Sequence, residues 1–260
     1  MGLLDLWLAH LNLGLLIFLR LASALFLTPP LGARQVPAPV RLGLAAGLTF
    51  LATPLVAVRA PALPGDALAF AGIAAKEVLV GLALGWMATL ALNVAQMAGE
   101  LLDVNAGFSV ASLINPTTDF HVSLLGQLKF LLASLIFLGT GAHHLTLAAI
   151  LGSYQVCPVN GLTLGSASVG VVFGAAGRML GSAIQLAAPV AATLFLAEVA
   201  LGIANRALPQ LNVMILSLSI KGLLALVALA VCLPVVGWGI ARLTASIGSD
   251  VALLARGLGS

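Results

Sequence analysis

Between Ala67 and Ala98 the chain runs for 32 residues with two charges, Lys76 and Glu77, and no proline. A run this apolar is a helix buried in lipid or in other protein, because every backbone polar group must then be satisfied within the segment. Its core, AFAGIAAKEVLVGLALGWMATLALNVAQMA at residues 69–98, would be about 45 Å long as one helix, against about 30 Å of bilayer hydrocarbon. The segment is membrane-like in composition and too long for a simple span.

The rest of the chain follows the same pattern. Of 260 residues, 61% are hydrophobic and 7% charged, where a soluble domain carries about 25% charge. Further apolar runs of helix length lie near residues 11–28, 40–58, 122–150, 168–204 and 211–240, about six in all. They are separated by helix-stop chemistry: Thr28-Pro29-Pro30, Pro37 and Pro39, Pro61 and Pro64-Gly65, and Asn115-Pro116. The expected fold is an all-α polytopic membrane protein. The N-terminus opens with Asp5 rather than a basic stretch, and Arg20 interrupts its apolar run, so it is expected to stay as a first helix. No linker divides the chain, and one domain is expected.

The charge pattern argues that these helices meet protein as well as lipid. With strict alternation from an outside N-terminus, Arg34, Arg41 and Arg206 fall inside and Arg59, Arg242 and Arg256 outside, which ignores the usual inside bias. Lys76, Glu77, Lys129, Arg178, Glu198 and Lys221 lie within or close to apolar runs. Each would cost about 2.5–3.5 kcal/mol at a helix centre and should face a partner or water. Subunit contacts, internal ion pairs and snorkelling to helix ends all answer that demand. Lys76 and Glu77, as neighbours about 100° apart on a helix, should look for separate partners. Small-xxx-small spacings, at Gly81/Gly85, Gly170/Gly174 and Gly177/Gly181, imply close helix packing.

Several functions lack the residues they need. The formal net charge of +3 comes from scattered residues with no Lys/Arg cluster for a phosphate backbone, so nucleic acid is not an expected partner. Cys157 and Cys232 have no metal-ligand spacing and read as small packing residues. His143 and His144 point apart on a helix with no carboxylate one turn away, and read as a polar helix end; no metal or cofactor is expected. Gly107-Phe108-Ser109 with either histidine suggests a serine nucleophile, but the second glycine of a nucleophile elbow and an acidic orienter are missing. No P-loop is present. A small-solute transporter would show an inverted repeat, and none is visible.

Four stretches, ARQVPAPVRLGLAAGLT (33–49), AGELLDVNAGFSVASLINP (98–116), FLGTGAHHLTLAAILGSYQVCPV (137–159) and LGIANRALPQLNVMILSLSIK (201–221), resemble the flagellar export protein FliR and its counterparts in virulence type III secretion. They occur in the family's order over nearly the whole chain. The sharpest motif is Arg206 with Pro209, Gln210, Leu211 and Asn212. Asn115 stands where the family more often has Asp, and Met214 and the SLSI run replace a Phe and a Pro-containing stretch.

The resemblance implies a non-enzymatic gate subunit at the centre of a basal body in the bacterial inner membrane, lying partly above the bilayer. It would stack with two other small membrane proteins, FliP-like and FliQ-like, beside FlhB-like and FlhA-like components, and pass unfolded protein substrates. Residues 1–168 would resemble the larger partner and 169–260 a hairpin like the smallest one, bent at Arg206, Pro209, Gln210 and Asn212. Residues 107–121 would form a pore plug. Gly107, Ser109, Ala111 and Ser112 are small enough for a narrow lumen, Phe108, Leu113 and Ile114 supply an apolar seal, and Val110 belongs to the same plug. Asn115-Pro116 stops the helix. The alternative is a plain connector between helices. The VPAPVRLGLA stretch favours the flagellar form over the virulence one.

Overall fold

The computed structural model describes residues 3–29, 31–32, 36–58, 61, 64, 66–108, 123–163, 165–207 and 213–259. Among them are seven helices and no strand: α1 (Leu3–Leu27), α2 (Ala38–Ala57), α3 (Ala67–Ala106), α4 (Leu124–Gly139), α5 (Ala142–Val156), α6 (Ser166–Ala207) and α7 (Val213–Leu258). Five are long and apolar enough to cross a membrane, and six spans result if α4 and α5, bent by 73° at their junction, count as one. The all-α polytopic expectation holds.

Two differences from the sequence reading have local causes. The run at 122–150 is two helices, because Gly141 enters α5 in the left-handed region at φ 71° and turns the chain. The last apolar run ends near residue 240, yet α7 continues to Leu258. Its final turns carry Arg242, Asp250 and Arg256 between apolar positions and bury Ile247, Val251, Leu254 and Ala255, so amphipathic packing extends the helix where uniform apolarity stops.

Backbone and side-chain polarity is settled inside the helices, as an apolar medium demands. The hydroxyls of Thr28, Thr49, Thr53, Ser134 and Thr146 donate to the carbonyl one turn earlier at 2.7–2.8 Å. Pro54, Pro189 and Pro234 sit inside α2, α6 and α7. Each removes one helical hydrogen bond, a defect that long membrane helices accommodate.

The chain clusters into two compact units made of interleaved segments. The first comprises residues 1–90, 141–176 and 245–260, the second 91–140 and 177–244. In the first, α1 packs on α2 and on the start of α3. A Cβ at Gly81 would strike the Arg20 carbonyl and one at Gly85 the Ala24 carbonyl, so these glycines bring two backbones into contact. Gly170, Gly177 and Gly181, of the other small-residue pairs, have no neighbour against their Cα. The end of α7 is closed in the same unit: Thr163 N–H and hydroxyl donate to the Leu258 carbonyl at 2.9 and 3.2 Å, and the Ser168 hydroxyl to Gly257 at 2.6 Å.

Candidate functional site

In the first unit the polar centre is Arg20. Its Nε and Nη2 donate to the two carboxylate oxygens of Glu77 at 2.6 and 3.1 Å. Nη1 reaches the Cys157 carbonyl at 2.8 Å and Ser153 Oγ at 3.4 Å, and Nη2 the Pro158 carbonyl at 3.3 Å. All five guanidinium N–H groups therefore have an acceptor. The cation also lies over the Tyr154 ring, 4.2 Å from its centroid, and the Tyr154 hydroxyl donates to the Ile17 carbonyl at 3.2 Å. Arg20 is wholly buried and Glu77 is 1% exposed. One ion pair thus ties α1, α3 and the end of α5 together.

Lys76 and Glu77 meet at one residue. The Lys76 ammonium donates to Asn160 Oδ1 at 3.1 Å, and the Asn160 N–H donates to the Glu77 carboxylate at 2.9 Å. Asn160 reaches both because its backbone turns through φ 64°, which asparagine tolerates. Arg20, the partner that carries Glu77, was expected only as an interruption in an apolar run. Its mate lies 57 residues away in sequence, beyond any helical period.

The second unit holds Lys129, Arg178, Glu198, Arg206 and Lys221. Lys129 is buried, and its ammonium donates to the Leu186 carbonyl at 3.4 Å, in the turn of α6 just before Pro189. Lys221 lies 3.0 Å from the Glu198 carboxylate, joining α7 to α6, with the glutamate side chain 61% exposed. Arg178 is exposed on α6. Arg206 belongs to the last turn of α6; Pro209, Gln210 and Asn212 lie outside the described residues.

Of the expected plug, Gly107 and Phe108 are described, and Ser109, Val110, Ala111, Ser112, Leu113, Ile114, Asn115 and Pro116 lie outside the described residues. Helix α3 ends in a Schellman turn: Phe108 N–H donates to the Asp103 carbonyl at 3.0 Å and Gly107 N–H to the Val104 carbonyl at 3.3 Å. Gly107 takes the left-handed conformation this requires, φ 83°. Phe108 packs against Gly222 of α7, where a Cβ would lie 3.3 Å from its ring.

At the far side of the segment Ser123 caps α4, accepting from Gly126 N–H at 2.9 Å. The Asp103 carboxylate accepts from the Ser123 hydroxyl and from Leu125 N–H at 3.1 Å. Gly99 of α3 abuts Gly126 of α4 so closely that a Cβ there would overlap the Gly126 backbone. Sequence reading passed over Asp103, although it stands four residues before Gly107.

His143 and His144 open α5 with ring centroids 4.0 Å apart. Among the described residues no group of three or more His, Cys, Asp or Glu is placed to hold a metal ion. Ser109, the residue considered as a nucleophile, lies outside the described residues.

A polytopic all-α chain with overlong apolar helices and a buried Arg20–Glu77 ion pair among the described residues is an integral membrane protein. Residues 11–247 match the bacterial export proteins, family 1, and the chain belongs to that family. It is 38% identical over 226 residues, 85% of this chain and 86% of its relative, to "Flagellar biosynthetic protein FliR" of Bacillus subtilis (strain 168). It is 28% identical to the Escherichia coli (strain K12) protein of the same name over 88% of this chain and 87% of that one. "Yop proteins translocation protein T" of Yersinia pestis is 31% identical, with coverage of 80% and 81%. The family is the one that the four sequence stretches resemble.

Proposed function

We propose that this export-family protein is the FliR-like gate subunit of a flagellar type III export channel in the bacterial inner membrane. The observation that carries the reading is the near full-length likeness to the Bacillus subtilis flagellar protein. The Yersinia relative's name favours the virulence counterpart as the second reading. The partners are FliP-like and FliQ-like membrane proteins, with FlhB-like and FlhA-like components nearby, and the substrates are unfolded exported proteins. The division into 1–168 and 169–260, with a bend at Arg206, Pro209, Gln210 and Asn212, belongs to this proposal. So do outward-facing subunit contacts for Arg178 and for the exposed edge of the Lys221–Glu198 pair.

In this reading the chain is not an enzyme, and residues 107–116 close the resting pore. Phe108, Val110, Leu113 and Ile114 give the seal its apolar character, and the small residues between them let an unfolded chain of any sequence push past without a strong binding site. The close approach of α3 and α4 at Gly99 and Gly126 supports it by giving the segment a narrow root.

The test is purification in mild detergent after co-expression with the neighbouring export genes, followed by native mass spectrometry. One copy of this chain with several copies of two small helical membrane proteins is the expected composition. A lone chain or a homodimer would refute the gate assignment.

A further inference from the structure

Helix α7 holds 20 consecutive uncharged residues, 222–241, between Lys221 and Arg242. At 1.5 Å per residue they span about 30 Å, the depth of bilayer hydrocarbon. Helix α6 repeats the pattern, with residues 179–197 uncharged between Arg178 and Glu198. Two contacts set these stretches side by side and antiparallel. Lys221 lies 3.0 Å from Glu198, and a Cβ at Gly239 would strike the Leu186 side chain. Arg178 on α6 and Arg242 on α7 both lie beyond the second contact, so both uncharged stretches end in a cation on the same side. On the opposite side they end in the Lys221–Glu198 pair, with the glutamate largely exposed.

The band so bounded is apolar outward as well as inward. On α7, Ala225, Leu229, Val236 and Ile240 are buried, while Leu223, Val227, Val231, Val235 and Trp238 are exposed, Val231 by 74%. At about 100° per residue the five exposed positions fall within an arc of about 120°, one stripe along the helix. The stripe ends in a particular pair. The Arg242 guanidinium lies over the Trp238 ring, 5.7 Å from its centroid, and both side chains are exposed. Tryptophan and arginine at the end of an apolar span match a membrane boundary, where the ring keeps its body in hydrocarbon and the guanidinium reaches the headgroups. A stripe covered by another protein chain would place no such demand on its last turn.

We propose that residues 222–241 of α7 form a lipid-facing span: the exposed stripe lies against phospholipid acyl chains, Trp238 marks one boundary of the hydrocarbon, and Arg242 binds headgroup phosphate there. The occupant of this face is phospholipid rather than a partner subunit. The inference goes beyond the gate assignment and does not depend on it. Its length, its freedom from charge and the chemistry of its last turn all agree on the same depth. The planar fork of arginine matches two phosphate oxygens at once. Lysine at the same position keeps the charge and loses the fork.

The experiment uses the full chain expressed with its partner subunits, with composition checked by native mass spectrometry. Val231→p-benzoylphenylalanine, irradiated in the membrane before purification, should give an adduct of phospholipid mass on this chain. An adduct with another polypeptide would overturn the lipid-facing span. So would the absence of any adduct, since acyl C–H bonds are what this probe captures. If that variant fails to assemble, the same probe at Val227 decides on the same terms. Arg242→Gln should leave composition unchanged and weaken the binding of added dioctanoyl-phosphatidylglycerol to the detergent-solubilised complex about tenfold, the scale of losing a charge-assisted hydrogen bond. Arg242→Lys should fall between the two. Unchanged binding in Arg242→Gln would overturn the headgroup contact. Composition, read separately, tests the gate assignment, so the two readings can fail independently.

Discussion

Arg20 and Lys129 are both wholly buried cations, one in each compact unit, and their surroundings could hardly differ more. Arg20 has a carboxylate, three further acceptors and an aromatic face. Among the described residues Lys129 has one long hydrogen bond, to a helix carbonyl. The planar fork of arginine can satisfy several fixed acceptors at once, whereas an ammonium is a point charge on a flexible stem. The first unit is thus cross-braced by a saturated ion pair. The second carries the Asp103 carboxylate at the start of α4 and the Lys221–Glu198 pair, whose glutamate is 61% exposed.

Substitutions in the two units should therefore differ in size. Glu77→Gln strands the Arg20 charge in the interior and should destabilise the protein by about 3–5 kcal/mol, read as a large fall in thermal midpoint in detergent. A fall no greater than that of a surface variant would break the contrast. Gly99→Ala forces a methyl into the Gly126 backbone and should cost about 1–3 kcal/mol in the same assay, placing the α3–α4 crossing below the ion pair.

Lys129→Met keeps volume and removes a sparsely satisfied charge. Stability should fall by less than about 1 kcal/mol or rise, because replacing a poorly compensated buried charge by an apolar group is often neutral or favourable. A loss equal to that of Glu77→Gln would show that the two cations are equivalent after all. The smallest effect belongs to Lys221 and Glu198. A double-mutant cycle to alanine should give a coupling below about 1 kcal/mol that shrinks in high salt, since the glutamate is largely in water.

Much of this architecture is legible in the chain. Proline and glycine punctuation marks the ends of α1 and α2, and the 32-residue run announces α3. The α4–α5 break was hidden inside an apolar run, and Gly139-Thr140-Gly141 is its only local signal. The amphipathic end of α7 escaped because hydropathy measures apolarity rather than periodicity. The charged sites divide in the same way. Lys76, Glu77 and Lys129 stand out against apolar neighbours, but Arg20–Glu77 and Asp103–Leu125 are pairings across 57 and 22 residues that only tertiary packing creates. Asp103 was further masked by its polar surroundings, Glu100 and Asn105, where one more acid draws no notice.

The central claim, that residues 107–116 close an export pore, is tested most directly by the resting ion conductance of the assembled complex with residues 109–116 removed. The account predicts an intact complex whose resting conductance rises severalfold or more above that of the wild type, since apolar constrictions hold a pore shut by excluding water. An intact complex as tight as the wild type would contradict it, and would leave the segment a connector between α3 and α4.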